Sequence, residues 1–291
     1  MKKVSGFLLG ICLVLGTASI AAAQDKSEGM HAPPPVLRID REILKPGKSG
    51  SVHDRSESAF VKAMSNAKSP EYYIAMDSMS GKHRALYFTG YDSFAEWEKD
   101  ASNQRKNPTF SAALDRADAA DGELLDSSDQ SAWAYRPDQS LNQTGGLVGI
   151  RYFEIEVFQI KPGHEADWDD AVKLVKEAYT KVPDAHWAMY QSVFGSEQPA
   201  YLVIIPRKSL SEVDAGFQQA QKFMAAMGPD GMKKLSELSA AAIASSETNI
   251  FAINPRQSYM NEDMIKSDPD FWRPKPAPAP AAKKEKAESK Q

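Results

Sequence analysis

The residues best equipped for chemistry lie on two short stretches of alternating polarity. Over 37–43, Leu37, Ile39, Arg41 and Ile43 alternate with Arg38, Asp40 and Glu42. Over 153–159, Phe153, Ile155, Val157 and Gln159 alternate with Glu154, Glu156 and Phe158. A period of two is the mark of a half-buried strand. The apolar face of each is expected to pack on helices. The other faces then bring one arginine and four carboxylates toward a shared region. Crowded carboxylates raise one another's pKa, as general-acid chemistry requires. Arg38 would neutralise one of them or hold an anionic substrate. The plainer alternative is a charged rim in water. His186 and Tyr190 fall on one face of another strand, with Trp187 and Met189 on the opposite one. Such a pair could relay a proton or bind a flat ligand, or it could simply pack. The candidate ligand-binding set is therefore Arg38, Asp40, Glu42, Glu154, Glu156, His186 and Tyr190, and no catalytic residue is assigned.

Other chemistries find no support. The chain contains no GxGxxG, P-loop or GxSxG motif. His164 opens a helix among Glu165, Asp167, Asp169 and Asp170, acids suited to a helix N-terminus. His31, His53 and His83 are scattered without metal-ligand spacing, so no metal site is expected.

The elements that must position these residues occur twice. Leu44-Lys45-Pro46-Gly47 recurs as Ile160-Lys161-Pro162-Gly163. Ser93 and Glu96 recur as Ser209 and Glu212, each with capping-box spacing. Trp133-Ala134-Tyr135-Arg136-Pro137-Asp138-Gln139-Ser140 recurs as Phe251-Ala252-Ile253-Asn254-Pro255-Arg256-Gln257-Ser258. Repeats in the same order at a spacing near 116 indicate a duplicated unit. Each unit reads β-α-β-β-α-β. In the second, strands are predicted over 152–160, 186–194, 200–205 and 248–253, the last matched by 131–136 in the first. Gly228-Pro229 breaks the second helix, and an extra helix is predicted to run to about Ser245.

The domain reading follows. A signal peptide occupies 1–23, a flexible segment 24–35, the first ferredoxin-like repeat 36–140, a linker 141–150 and the second repeat 151–258. A C-terminal extension fills 259–273 and a disordered Pro/Ala/Lys-rich tail 274–291. Element order, the strand-Lys-Pro-Gly-helix opening and Ala188-Met189-Tyr190-Gln191-Ser192 resemble the dimeric α/β-barrel superfamily, which includes antibiotic-biosynthesis-type monooxygenases and NIPSNAP-like proteins. The resemblance implies an α+β fold whose antiparallel sheets pack as a pseudo-dimeric barrel, with the charged strand faces lining the space between them. In haem-using relatives the axial histidine usually comes from a helix. The helices predicted over 93–106 and 209–227 contain none, so neither haem nor another cofactor is expected.

Composition sets the remaining limits. The 291 residues are 42% hydrophobic and 25% charged, ordinary for a globular chain. Lys2 and Lys3, the apolar run Phe7–Leu15 and Ala21-Ala22-Ala23 have the form of a cleaved export signal, too short to span a bilayer. Cleavage removes Cys12, the single cysteine, and with it any thiol chemistry or disulfide. The expected location is periplasmic or secreted, with no transmembrane span after cleavage. The tail carries a net +3 and the rest of the mature chain −9, so nucleic acid is excluded as a partner and the tail suits an anionic envelope surface. A monomer and a homodimer both remain open. Three functions fit: binding a small molecule in the cleft between the repeats, cofactor-independent monooxygenase or isomerase chemistry, or a structural envelope role. Deleting 274–291 is expected to leave the melting temperature unchanged in a thermal scan. A large drop would mean that the tail is docked.

Overall fold

A computed structural model describes residues 32–142, 146–197 and 199–273. The segment expected to be an export signal, the tail from Pro274 and the centre of the expected linker lie outside them. The first repeat runs β1 (Val36–Leu44), α1 (Ser51–Ala67), β2 (Tyr73–Ser78), β3 (Arg84–Tyr91), α2 (Phe94–Lys106), α3 (Pro108–Asp121) and β4 (Leu125–Tyr135). The second runs β5 (Tyr152–Ile160), α4 (Glu165–Tyr179), β6 (Ala188–Phe194), β7 (Ala200–Arg207), α5 (Ser211–Ala242) and β8 (Ile243–Ile253). Short helices α6 (Glu262–Ser267) and α7 (Pro269–Trp272) follow. Among the described residues no helix is long and apolar enough to cross a membrane.

The eight strands close into one antiparallel barrel in the order β1-β3-β2-β8-β5-β7-β6-β4, with β4 returning to β1. Each repeat contributes four adjacent strands. The two sheets meet at the seams β2–β8 and β4–β6. The tandem ferredoxin-like architecture expected from the repeat is therefore present.

The orientation of the strand faces differs from expectation. Leu37 and Ile39 of β1 and Phe153 and Ile155 of β5 point into the barrel, where they pack with Leu86, Phe88, Leu202, Ile204, Phe251 and Ile253. Arg38, Asp40 and Glu42 point outward beneath the helices, as do Glu154, Glu156 and Phe158. A closed barrel excludes water on every side, so its interior takes the apolar face and its partly covered exterior takes the charges.

The repeated Pro-x-Gln-Ser segments explain themselves at the seams. Ser258 Oγ accepts the Ala75 amide at 2.9 Å, and Ser140 Oγ accepts the Met189 amide at 2.9 Å. Each hydroxyl also donates within its own turn, to Asn254 O at 2.7 Å and Arg136 O at 2.8 Å. The Asn254 and Arg136 amides return bonds of 2.8 Å to Ala75 O and Met189 O. Each repeat thus holds the second strand of the other. Glycine is required where each hairpin crosses the opposite repeat. A Cβ on Gly195 would fall 2.0 Å from Gln130 O, and one on Gly81 2.4 Å from Asn249 Oδ1, and both have positive φ.

Some boundaries move. β4 and β8 begin earlier than predicted, and α5 ends at Ala242 rather than near Ser245. Ser127–Gln130 and Ser245–Glu247 are exposed and lack apolar alternation, and pairing with β1 and β5 extends them. α5 breaks at Gly228 (φ 68°), as the Gly-Pro pair predicts. Ser93 Oγ caps α2 through the Glu96 amide, but Ser209 turns its hydroxyl to Ser211 and leaves α5 without a side-chain cap. Replacing Ser140 or Ser258 with Ala should each destabilise the fold by about 1–3 kcal/mol in urea titration, because a buried amide loses its acceptor. A smaller loss at either would show that its clasp is not needed.

Candidate functional site

β1 and β5 lie on opposite sides of the barrel, so the charges they turn outward diverge. The expected meeting of four carboxylates therefore does not occur. Glu154 pairs with Arg207 at 2.7 Å on the second repeat. Glu156 stands beside it, its carboxyl raised by burial. The ring nitrogens of His186 face backbone carbonyls, Asp184 O at 2.8 Å and Pro206 O at 3.1 Å. Tyr190 is buried in the barrel against Tyr135, so no His186–Tyr190 pair forms. Trp187 and Met189 do take the opposite face.

Arg38, Asp40 and Glu42 remain together. They line a cavity of about 570 Å³ between the outer face of the first sheet and α1–α3. Arg38 binds Asp40 at 2.7 Å and lies 5.9 Å over the Trp97 ring, while its Nε is buried without a partner. Tyr73, Tyr91, Phe60 and Met64 contribute further wall. A smaller cavity of about 270 Å³ opens at the barrel mouth between the repeats, walled by apolar groups including Leu37, Phe153 and Ile204.

Glu42 stands where the larger cavity meets a buried polar cluster. His53, on the first turn of α1, has no exposed surface. Its Nε2 lies 3.1 Å from Glu42 Oε2, 3.8 Å from Glu57 Oε1 and 3.7 Å from Asp121 Oδ1. Tyr87 donates its hydroxyl to Glu42 at 3.0 Å. Gln257 reaches in from the end of the second repeat, with Nε2 3.3 Å from His53 Nδ1 and 3.0 Å from Asp54 Oδ1. Its bond to the Asp54 carboxylate identifies that atom as the amide nitrogen, so neutral His53 accepts at Nδ1 and donates from Nε2 to Glu42. Glu57 and Asp121 are buried, and Glu57 Oε1 and both Asp121 oxygens lack hydrogen-bond partners.

Burial sets the protonation of this cluster. It pushes the Glu57 carboxyl up to about 10, helped by the charges of Glu42 and Asp121. It also raises Glu42, against the opposing bond from His53. For His53 burial acts downward, but the bond to Glu42 and the charges of Asp121, Glu42 and Asp77 raise it overall. At neutral pH Glu57 is a neutral acid beside the Glu42–His53 pair.

The second repeat holds different chemistry in the same place. Gln139 bonds Asp169 at 2.6 Å as Gln257 bonds Asp54, which aligns the two helices. His53 and Glu57 then correspond to Trp168 and Val172, buried at the same i, i+4 spacing. Glu42 pairs with Ala85 as Phe158 pairs with Tyr201. Trp168 stacks on Tyr201 with centroids 4.8 Å apart and packs at a tilt on Phe158 at 4.9 Å. An aromatic cluster fills this position without any buried carboxylate or imidazole, so the fold does not require the polar one.

Sequence reasoning found Glu42 but missed His53, Glu57, Asp121 and Tyr87. The available signal was His53 and Glu57 four residues apart on one helix face, where the second repeat has Trp168 and Val172. Asp121 comes from a distant helix end and carried no local signal.

Solved structures share this architecture. An anthrone oxidase-like protein gives a TM-score of 0.51 at 13% identity, covering 78% of this chain and 94% of the other. A proposed monooxygenase from Fusobacterium nucleatum gives 0.48 at 11%, covering 76% and 93%. A chlorite dismutase variant from Candidatus Nitrospira defluvii gives 0.48 at 10%, covering 84% and 99%. The chain has the dimeric α/β-barrel fold, with both halves of the barrel supplied by one polypeptide. No family model and no curated protein sequence matches it.

The raised Glu57 pKa has a stability consequence. An acid that binds its proton more tightly when folded stabilises the fold fully below its unfolded pKa of about 4.3. That contribution is lost as pH rises toward the folded value near 10. In metal-free buffer, stability should therefore fall from pH 5 to pH 9, and Glu57→Gln should flatten the slope. Parallel slopes in urea titrations across that range would refute the assignment.

Proposed function

We propose that the protein binds a small anionic aromatic molecule in the cavity of the first repeat, and that Glu42 exchanges a proton with it. The observation that carries this reading is the asymmetry between the repeats. One copy of the shared position is dry and aromatic, and the other combines acids, an imidazole and a cavity wall. Buried ionisable groups cost stability, so a set that the fold does not need points to function. Arg38 lines the cavity and is placed to hold the anion, with Tyr73 and Tyr91 in the wall to face a ring. Glu42 touches the cavity on one side and His53 on the other, so it can take a proton from the ligand while the His53 Nε2–H bond holds its carboxylate in place. The same groups serve an isomerase or a cofactor-independent monooxygenase, each of which begins with proton abstraction.

This places the ligand beneath the helices rather than in the cleft between the repeats. The mouth cavity lies in that cleft, but of the candidate residues only Tyr190 lines it. Haem is not part of the reading. Among the described residues no histidine lines either cavity, so none is placed to meet a haem there. Export and the envelope role of the tail are proposed on the sequence features alone.

Native mass spectrometry of freshly purified protein should detect a bound species of low mass. Titration with 4-hydroxybenzoate should quench tryptophan fluorescence through Trp97. Arg38→Ala should weaken that binding about tenfold or more, the range for a charge-assisted bond. A bare protein, with no binding sensitive to Arg38, would sink the proposal.

A further inference from the structure

We propose that Glu42, His53, Glu57 and Asp121 form a binding site for one first-row divalent cation such as Zn2+ or Mn2+. The site borders the organic ligand's cavity but does not depend on that ligand.

Geometry comes first. One donor atom from each of the four residues lies within 4.8 Å of the others. The three carboxylate oxygens stand 3.1, 3.8 and 3.7 Å from His53 Nε2. Tetrahedral donors about 2.1 Å from zinc are roughly 3.4 Å apart, so small side-chain movements suffice. One imidazole with three carboxylates is a donor set that suits zinc or manganese.

The second observation is the set of buried atoms without partners. Glu57 Oε1, Asp121 Oδ1 and Asp121 Oδ2 have no hydrogen bond, and both residues are more than nine-tenths buried. Such buried atoms destabilise the fold unless something meets them. Gln257 Oε1 is likewise buried and unpartnered. Coordination through His53 Nε2 leaves the ring proton on Nδ1. Rotation of the Gln257 amide then offers Oε1 to accept it, the usual way in which an outer residue orients a metal-bound histidine.

Charge points the same way. Among the described residues no lysine or arginine forms an ion pair with Glu42, Glu57 or Asp121, and Asp54 and Asp77 lie behind them. On binding a divalent ion the His53 ring proton would shift from Nε2 to Nδ1, and any proton held on the three carboxyl groups would pass to solvent.

The test uses the mature chain stripped with EDTA and dialysed. Isothermal titration with ZnCl2 at pH 7 should give one site per chain. Repeating it in buffers of different ionisation enthalpy should show proton release. The melting temperature should rise with Zn2+, and Mn2+ should show nitrogen coupling in its paramagnetic resonance. Glu57→Gln keeps the side-chain shape and should weaken Zn2+ binding about 100-fold or more, the scale for losing a donor or its support. His53→Gln should remove the nitrogen coupling. If a variant melts early in EDTA, the buffer-dependent proton release of the unaltered chain still decides. Absence of a single site, an affinity unchanged by Glu57→Gln, or equally tight Ca2+ binding would overturn the proposal. Retained 4-hydroxybenzoate binding in that event would overturn the metal site alone.

Discussion

The reciprocal clasp at the two seams is the constraint on which the remainder depends. Two four-stranded sheets have exposed edges, and an open edge invites pairing with any available strand. Here each sheet closes on the other through a few ladder bonds, reinforced by Ser140 and Ser258 on the backbone of the opposite repeat. The same turns deliver Gln139 and Gln257 to the opposite helices. Barrel closure and completion of the polar cluster are therefore one event. Glycine at positions 81 and 195 lets the hairpins pass close enough for it to happen.

Closure also sorts the charges. The barrel interior is dry, so each strand must turn its apolar residues inward and its ionisable residues toward the helices. Once there, burial is partial and local. In the second repeat aromatic rings fill the space, and Glu154 finds Arg207 at its edge. In the first, Glu42, Glu57 and Asp121 gather around the imidazole of His53. A symmetric pair of identical chains could not be built this way, because each position would appear twice. Joining the halves in one polypeptide permits a single polar site per barrel.

Much of the fold was legible. The duplicated Lys-Pro-Gly and Pro-x-Gln-Ser segments announced the repeat, and strand alternation separated Leu37 and Ile39 from Arg38, Asp40 and Glu42. Which face turned inward was not legible. Alternation is symmetric, and only closure into a barrel decides between faces. The cluster was hidden for a similar reason. Its members come from β1, α1 and the end of α3, with Gln257 about 200 residues from His53. No local spacing encodes such a meeting. The strands over 125–130 and 243–247 were also hidden, since their polar residues become extended only by pairing with β1 and β5.

β8 lies between β2 and β5 and leads directly into the turn that carries Gln257. It is also the final strand of the barrel to be synthesised. Until it emerges, the first repeat has a free edge at β2, and His53 lacks its contact from Gln257. The nascent chain acquires a finished polar chamber only when its last strand arrives.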